Sequence, residues 1–159
     1  MFRITSERIA VERLVRAVRD PAAGAVVVFV GTTRNENAGR RVVRLEYEAY
    51  ARMAVSEMRG LAAEARRRWP LRKIAMAHRI GLVPVGQASV GIAVSAGHRG
   101  EAFAACHWLI DRLKEIVPIW KREHFRGGRV WIGPQQGGPG APRTIRRRAA
   151  RRTPPSKRT

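Results

Sequence analysis

Residues 113–123 read LKEIVPIWKRE, and the fold turns on how Pro118 divides them. Upstream, Phe103, Cys106, Ile110, Leu113 and Val117 recur at three- and four-residue spacing, the period of a helix over 100–117 that buries one face. Proline has no N–H to donate and its ring clashes with the preceding turn, so the helix stops there. Downstream, IWKREHF (119–125) reads as an extended segment. A helix therefore feeds directly into a strand. Lys114 and Lys121 flank the corner, with Trp120 expected to anchor the extended segment in the core.

Moving outward, RGG (126–128) reads as a hairpin turn and RVWIG (129–133) as the return strand. From Pro134 the composition becomes Gln, Gly, Pro and Arg, which cannot bury enough apolar surface to offset ordering entropy, so disorder is expected over 134–159. On the N-terminal side, SVGIAVSA (89–96) and KIAMAHRIG (73–81) read as strands, joined by VPVG (83–86) as a turn-like connector. A helix over 53–69 carries Met58, Leu61, Ala62, Ala65 and Trp69 on one face and ends at Pro70. VVRLEYEAY (42–50) predicts a strand with one wet face. AVVVFV (25–30) is a continuous β-branched run, expected of a strand buried on both faces. GTTRN (31–35) marks its end and NAGRR continues the loop. DPAAG (20–24) is a turn, and 6–19 reads as a short amphipathic helix. Helices alternate with strands, yet hairpins are present too. The expectation is a single α+β domain over residues 1–133, with a mixed or antiparallel sheet and two long helices.

The formal charge is +20 over 159 residues. Eight of the basic residues lie at or after Arg143, with no acidic residue among them, which leaves 24 Lys and Arg against 12 Asp and Glu, about +12, in the body. A positive body favours anionic partners: a phosphate-bearing small molecule, nucleic acid or an acidic protein. Cys106 is the one cysteine, so an internal disulfide framework and multi-cysteine metal sites are excluded and a reducing compartment fits. MFRITSERIAVERLVRAVRD has charges throughout and lacks the apolar core of a secretory signal. No apolar run is long enough to span a membrane. A cytoplasmic protein is expected.

Three stretches could carry chemistry. GTTRN can present backbone N–H groups and the forked guanidinium of Arg34 to an anion, or it is a turn with an exposed arginine. It is not a P-loop, because the Gly-Lys-hydroxyl ending is missing. In SAGHRG (95–100), His98 and Arg99 stand at the start of a helix, where free N–H groups favour an anion; an ordinary basic loop explains them as well. In the opening stretch, Lys114 borders the apolar stripe, and a chain that folds back at Pro118 brings Lys121 towards the same pocket. Two close amines depress one another's proton affinity, which frees one as base or nucleophile and leaves the other to stabilise negative charge. On spacing alone, both lysines are also explained as solvated surface. His78 and His107 lack partners at metal-ligand spacing, so no zinc site is expected. Cys106 falls on the helix stripe and reads as core.

The order of these pieces carries a resemblance. GAVVVFVGTTRNENAG (24–39) is followed by LEYEAY (45–50), MA (53–54), RRWPL (67–71), HRIG (78–81), VSAGHRGEAF (94–103), LKEIVPIWKRE (113–123) and Trp131. Over about residues 20–132 this resembles the catalytic, larger subunit family of molybdopterin synthase. The resemblance implies an α/β hammerhead fold and a homodimer. Each end of the dimer holds a small ubiquitin-like sulfur-carrier subunit, giving a heterotetramer. The carrier's C-terminal Gly-Gly thiocarboxylate enters the pocket, and sulfur passes twice to cyclic pyranopterin monophosphate to form molybdopterin. No metal or redox cofactor is implied. The family's catalytic positions fall on Lys114 and Lys121. Its substrate-contacting positions fall on Thr32, Thr33, Arg34, His98, Arg99, Arg122 and Glu123, with Phe29 beside the pocket. His98 and Arg99 are implied to serve the neighbouring protomer's site, and Glu123 to orient a lysine or the arginine. Two departures stand out: Ile110 replaces a methionine of some relatives, and QQGGPGAPR follows where the family continues with a charged segment bearing another arginine. The competing reading, from charge alone, is a nucleic-acid-binding module; no zinc-finger, helix-turn-helix or RNP-like pattern supports it.

Overall fold

The computed structural model describes residues 1–125 and 128–132. Strands β1 (Phe2–Thr5), β2 (Ala25–Thr32), β5 (Leu71–Arg79) and β7 (Ala88–Ala96) form a mixed sheet in the order β1-β5-β7-β2, with β1 parallel to β5 and the other pairs antiparallel. A second, antiparallel sheet has β4 (Arg40–Ala49) paired on one side with β8 (Ile119–Phe125) and on the other with β3 (Glu36–Asn37) and β6 (Gly81–Pro84); β9 (Gly128–Ile132) extends it beyond β8. The helices are α1 (Val11–Ala17), α2 (Ala51–Arg68) and α3 (Arg99–Ile116). The architecture is α+β with two long helices, as expected.

The first sheet has a core on each face. On one face, Ile74, Met76, Val90, Ile92 and Val94 pack against Met58, Leu61 and Ala65 of α2 and against Cys106, Leu109 and Leu113 of α3. On the other, Ala75, Ala77 and Ala93 receive Leu14 from α1 and Val18 just past its end. The alternation of small and large residues along β5 follows from the two-residue period of a strand: the small side faces the short helix closely, and the large side fills the space under the long ones. Gly91 continues the small face, since a Cβ there would lie 2.5 Å from Leu14 Cδ1.

Both long helices end in the same way. Trp69 and Val117, the residues before Pro70 and Pro118, adopt extended backbone angles, as the proline ring demands. The residue after each proline then donates back across it, Leu71 N to Trp69 O at 2.8 Å and Ile119 N to Val117 O at 2.7 Å. Each corner is thus a three-residue γ-type turn that leads a helix straight into a strand.

Several expectations need correction. AVVVFV is not buried on both faces: β2 is the last strand of its sheet, Val26 is 42% exposed, and the doubly covered strand is β7. A β-branched run reports two apolar faces, not whether neighbours cover them. The expected helix 6–19 shortens to α1, because residues 2–5 are taken into β1 and Thr5 Oγ1 accepts Glu7 N–H in a local turn. NAGRR is not loop but a tight hairpin turn, with Ala38 and Gly39 at positive φ and Asn37 paired to Arg40. VPVG begins inside β6, which is paired with β4. On α3, Ala102 is buried and Phe103 is 62% exposed. Trp120 does not enter the core; it meets the exposed ring of Tyr50 edge-on at 5.4 Å. Arg126 and Gly127 of the expected RGG turn (126–128) and the tail over 134–159 fall outside the described residues, while Gly128 opens β9.

Candidate functional site

A cleft of about 450 Å³ opens between the two sheets beside the C-terminal half of α3. Its apolar wall is Phe29, Val42, Leu45, Val90, Ile110, Leu113, Val117 and Ile119. Thr32 and Arg34 enter from the end of β2, Glu36 and Asn37 from β3, Tyr47 from β4, His78 from β5 and Ser89 from β7. Lys114 comes from the last turn of α3, and Lys121 and Glu123 from β8. The corner at Pro118 therefore does bring the two lysines to one cleft. The strand period selects the rest: Ile119, Lys121 and Glu123 share the cleft side of β8, while Trp120, Arg122 and His124 take the other.

The polar contacts on the lysine wall are specific. Lys121 Nζ lies 3.1 Å from Glu123 Oε1. Glu123 is only 3% exposed, and its carboxylate accepts from Asn37 Nδ2 at both oxygens, at 3.0 Å and 2.8 Å. Arg34 Nη2 donates to Asn37 Oδ1 at 3.4 Å. Neither Arg34 nor Lys114 forms an ion pair among the described residues. The cleft thus offers an exposed ammonium and a guanidinium to an incoming anion, next to a second ammonium already held by a buried carboxylate.

The floor is neutral. Burial drives the His78 imidazolium pKa down to about 4, against the opposing effect of its bond to the Arg79 carbonyl, 2.8 Å from Nδ1. A carbonyl only accepts, so Nδ1 carries the proton of the neutral ring. Tyr47 meets that ring edge-on at 4.9 Å. Burial raises the Tyr47 phenol, against the effect of its hydrogen bond to Ser89, so it stays protonated. Cys106, behind this wall, is pushed up to about 11 by burial and remains an inert core thiol.

Four of the residues expected at the site stand elsewhere. Thr33 is buried and ties the β6–β7 turn: its N–H donates to Gln87 O at 3.0 Å and its carbonyl accepts from Gly86 at 2.8 Å. Arg122 faces away from the cleft, pairs with Glu46 at 3.0 Å and Glu48 at 3.7 Å, and lies 3.8 Å over the Trp131 ring. His98 and Arg99 are exposed at the start of α3 and do not line this cleft. Conversely, Asn37, Tyr47, His78 and Ser89 line it without having been singled out as site residues. The signal for Asn37 was present, since Asn-Ala-Gly between two extended segments is hairpin chemistry.

A family model described as MoaE protein matches residues 4–116. The chain belongs to the MoaE protein family. Among curated MoaE relatives, the Homo sapiens molybdopterin synthase catalytic subunit is 44% identical over 133 residues, covering 84% of this chain and 71% of that protein. The Oryza sativa subsp. indica protein of the same name is 51% identical, covering 79% of this chain and 65% of its own length. A solved structure of molybdopterin synthase from Staphylococcus aureus superposes with a TM-score of 0.80 at 39% identity, covering 83% of this chain and 96% of that one. The family model ends at Ile116, before Lys121, whereas the likenesses to the human and S. aureus proteins extend over more of the chain. No helix among the described residues of this MoaE chain is long and apolar enough to cross a membrane.

Proposed function

We propose that the chain is the catalytic subunit of a molybdopterin synthase. It moves sulfur from the C-terminal thiocarboxylate of a small ubiquitin-like carrier to cyclic pyranopterin monophosphate, in molybdenum cofactor biosynthesis. The observation that carries this reading is the meeting of Lys114, Lys121 and Arg34 in one cleft, with Lys121 clamped to the buried Glu123. Both reactants are anionic, and a cleft with three cations and a neutral floor suits them.

In this reading Arg34 takes the substrate phosphate, because a guanidinium can fork two bonds to it. Lys114, exposed and without an ion-pair partner among the described residues, is the amine that activates the substrate or moves protons at the attacked carbon. Lys121 stands by the carrier's carbonyl and stabilises the oxyanion formed there. Thr32 and Phe29 line the substrate's path. His98 and Arg99 act in the neighbouring protomer of a homodimer, consistent with their exposure outside their own cleft. A carrier at each end of that dimer completes a heterotetramer. Arg122 holds β8 through Glu46 and Glu48 rather than touching substrate. The catalytic unit spans 1–133, and it works in the cytoplasm, where a lone thiol such as Cys106 stays reduced.

The test mixes the protein with thiocarboxylated carrier and cyclic pyranopterin monophosphate and measures molybdopterin. Lys114→Ala should lower the rate by about a hundredfold or more, the scale of a lost general acid–base group, with carrier affinity unchanged. Near-normal sulfur transfer by that variant would overturn the assignment.

A further inference from the structure

A carboxylate as deeply buried as Glu123 persists only if its charge is balanced and its lone pairs are satisfied. Lys121 supplies the charge, at 3.1 Å from Oε1. Asn37 supplies the rest: one amide nitrogen spans both oxygens, at 3.0 Å and 2.8 Å. The same side chain offers its oxygen to Arg34 at 3.4 Å. The opposite amide orientation would set oxygen against the carboxylate and a donor against the guanidinium, so the network admits one orientation. The backbone beneath it is also determined. Asn37 opens a tight turn whose next residues, Ala38 and Gly39, have φ of 49° and 72°, and its partner across the hairpin is Arg40. A short hairpin thus carries one amide to the exact gap between a loop arginine and a strand carboxylate 86 residues away.

We infer that Asn37 is a positioning residue for sulfur transfer: it orients the Glu123 carboxylate, and through it the Lys121 ammonium, while tethering Arg34 to the same frame. This rests on the reading of Lys121 as a catalytic amine. Lys121 has a flexible four-carbon stem and its side chain is about a third exposed, at 30%, so the direction of its charge is set by what holds the far end. With Asn37 in place, the carboxylate cannot rotate or withdraw, and the ammonium is presented at one point of the cleft wall. Preorganised charge of this kind acts on the transition state and leaves substrate capture largely alone.

The experiment uses the full chain with thiocarboxylated carrier and cyclic pyranopterin monophosphate, and compares Asn37→Asp, Asn37→Ala, the double variant Asn37→Asp with Glu123→Gln, and Lys121→Ala. Asp matches Asn in size and suits the turn, but it replaces the donor with an acceptor aimed at a buried carboxylate. Asn37→Asp should lower kcat by about tenfold to hundredfold, the scale of one charge-assisted hydrogen bond, with KM within about twofold. Asn37→Ala should show the same split to a smaller degree. The double variant restores a donor facing an acceptor, now with the amide on residue 123, and should recover at least about tenfold of the loss. A purely structural role for Asn37 predicts a near-normal Asn37→Asp, since size and turn are kept, and no recovery in the double variant. Either result, with Lys121→Ala inactive, overturns the inference alone. An active Lys121→Ala overturns the reading of the site on which it rests.

Discussion

At the scale of single residues, the cleft combines side chains that hold charge with side chains kept from carrying it. His78 illustrates the second kind. Its imidazolium pKa falls from an ordinary 6.5 to about 4 because the ring is buried, so the unfolded chain binds a proton in a window where the folded chain does not. Stability linked to His78 is therefore complete above about pH 6.5 and is lost as pH falls towards about 4, to an extent on the order of 3 kcal/mol. The check is the urea midpoint of the native protein and of His78→Asn across pH 4 to 7: the native advantage should shrink as the pH falls. A gap that is constant with pH would mean the ring already titrates normally in the folded state. His78 was legible in the sequence as a strand residue of the HRIG stretch without metal-ligand neighbours, not as a buried neutral ring. Its neutrality comes from side chains distant in the chain, such as Tyr47, whose ring edge closes over it.

At the scale of elements, the deciding features are corners and close approaches. Pro70 and Pro118 could be read directly, since the proline constraint is local, and both end helices as expected. Glycines divide by what surrounds them. A Cβ on Gly24 would lie 2.4 Å from the Gly97 carbonyl oxygen, backbone against backbone, where the 20–24 turn supports the loop before His98. Gly24→Ala should cost about 1–3 kcal/mol, since no side-chain rotation relieves the contact. Gly60 lies on α2 with open space around it, so Gly60→Ala should gain about 0.5–1 kcal/mol from helix propensity and a stiffer unfolded chain. Chemical denaturation of the pair measures both; equal effects of the same sign would contradict this packing. The edge position of β2 was not legible, because pairing partners are chosen across the chain and a run such as AVVVFV does not name them.

At the scale of the whole molecule, every described residue lining the cleft falls between Phe29 and Glu123, although the charge is heaviest from Arg143 onward. Deleting residues 134–159 should therefore leave the single-turnover rate of sulfur transfer within about twofold, with any loss confined to the salt-sensitive part of carrier association. A collapse of the rate with saturating carrier would place part of the site in the tail. The MoaE fold makes the cleft by setting two sheets side by side and running α3 past their junction, so that one helix end and six strands supply polar groups to it.

By itself, the sequence determined local events: where the two long helices stop, most of their apolar faces, that the chain is α+β, and, through the order of its motifs, the family. It also named Lys114, Lys121, Arg34 and Glu123, four of the groups that line the cleft. Only the tertiary structure decided which of the remaining residues face it. Arg122 follows Lys121 in the chain, yet a strand sends the two to opposite sides. Asn37 is 86 residues from Glu123, yet its amide closes the carboxylate's shell. The physical reason is range. Capping, turn and periodicity signals act over a few residues, whereas the partner of a buried charge is fixed by strand register and sheet packing, which no local stretch encodes.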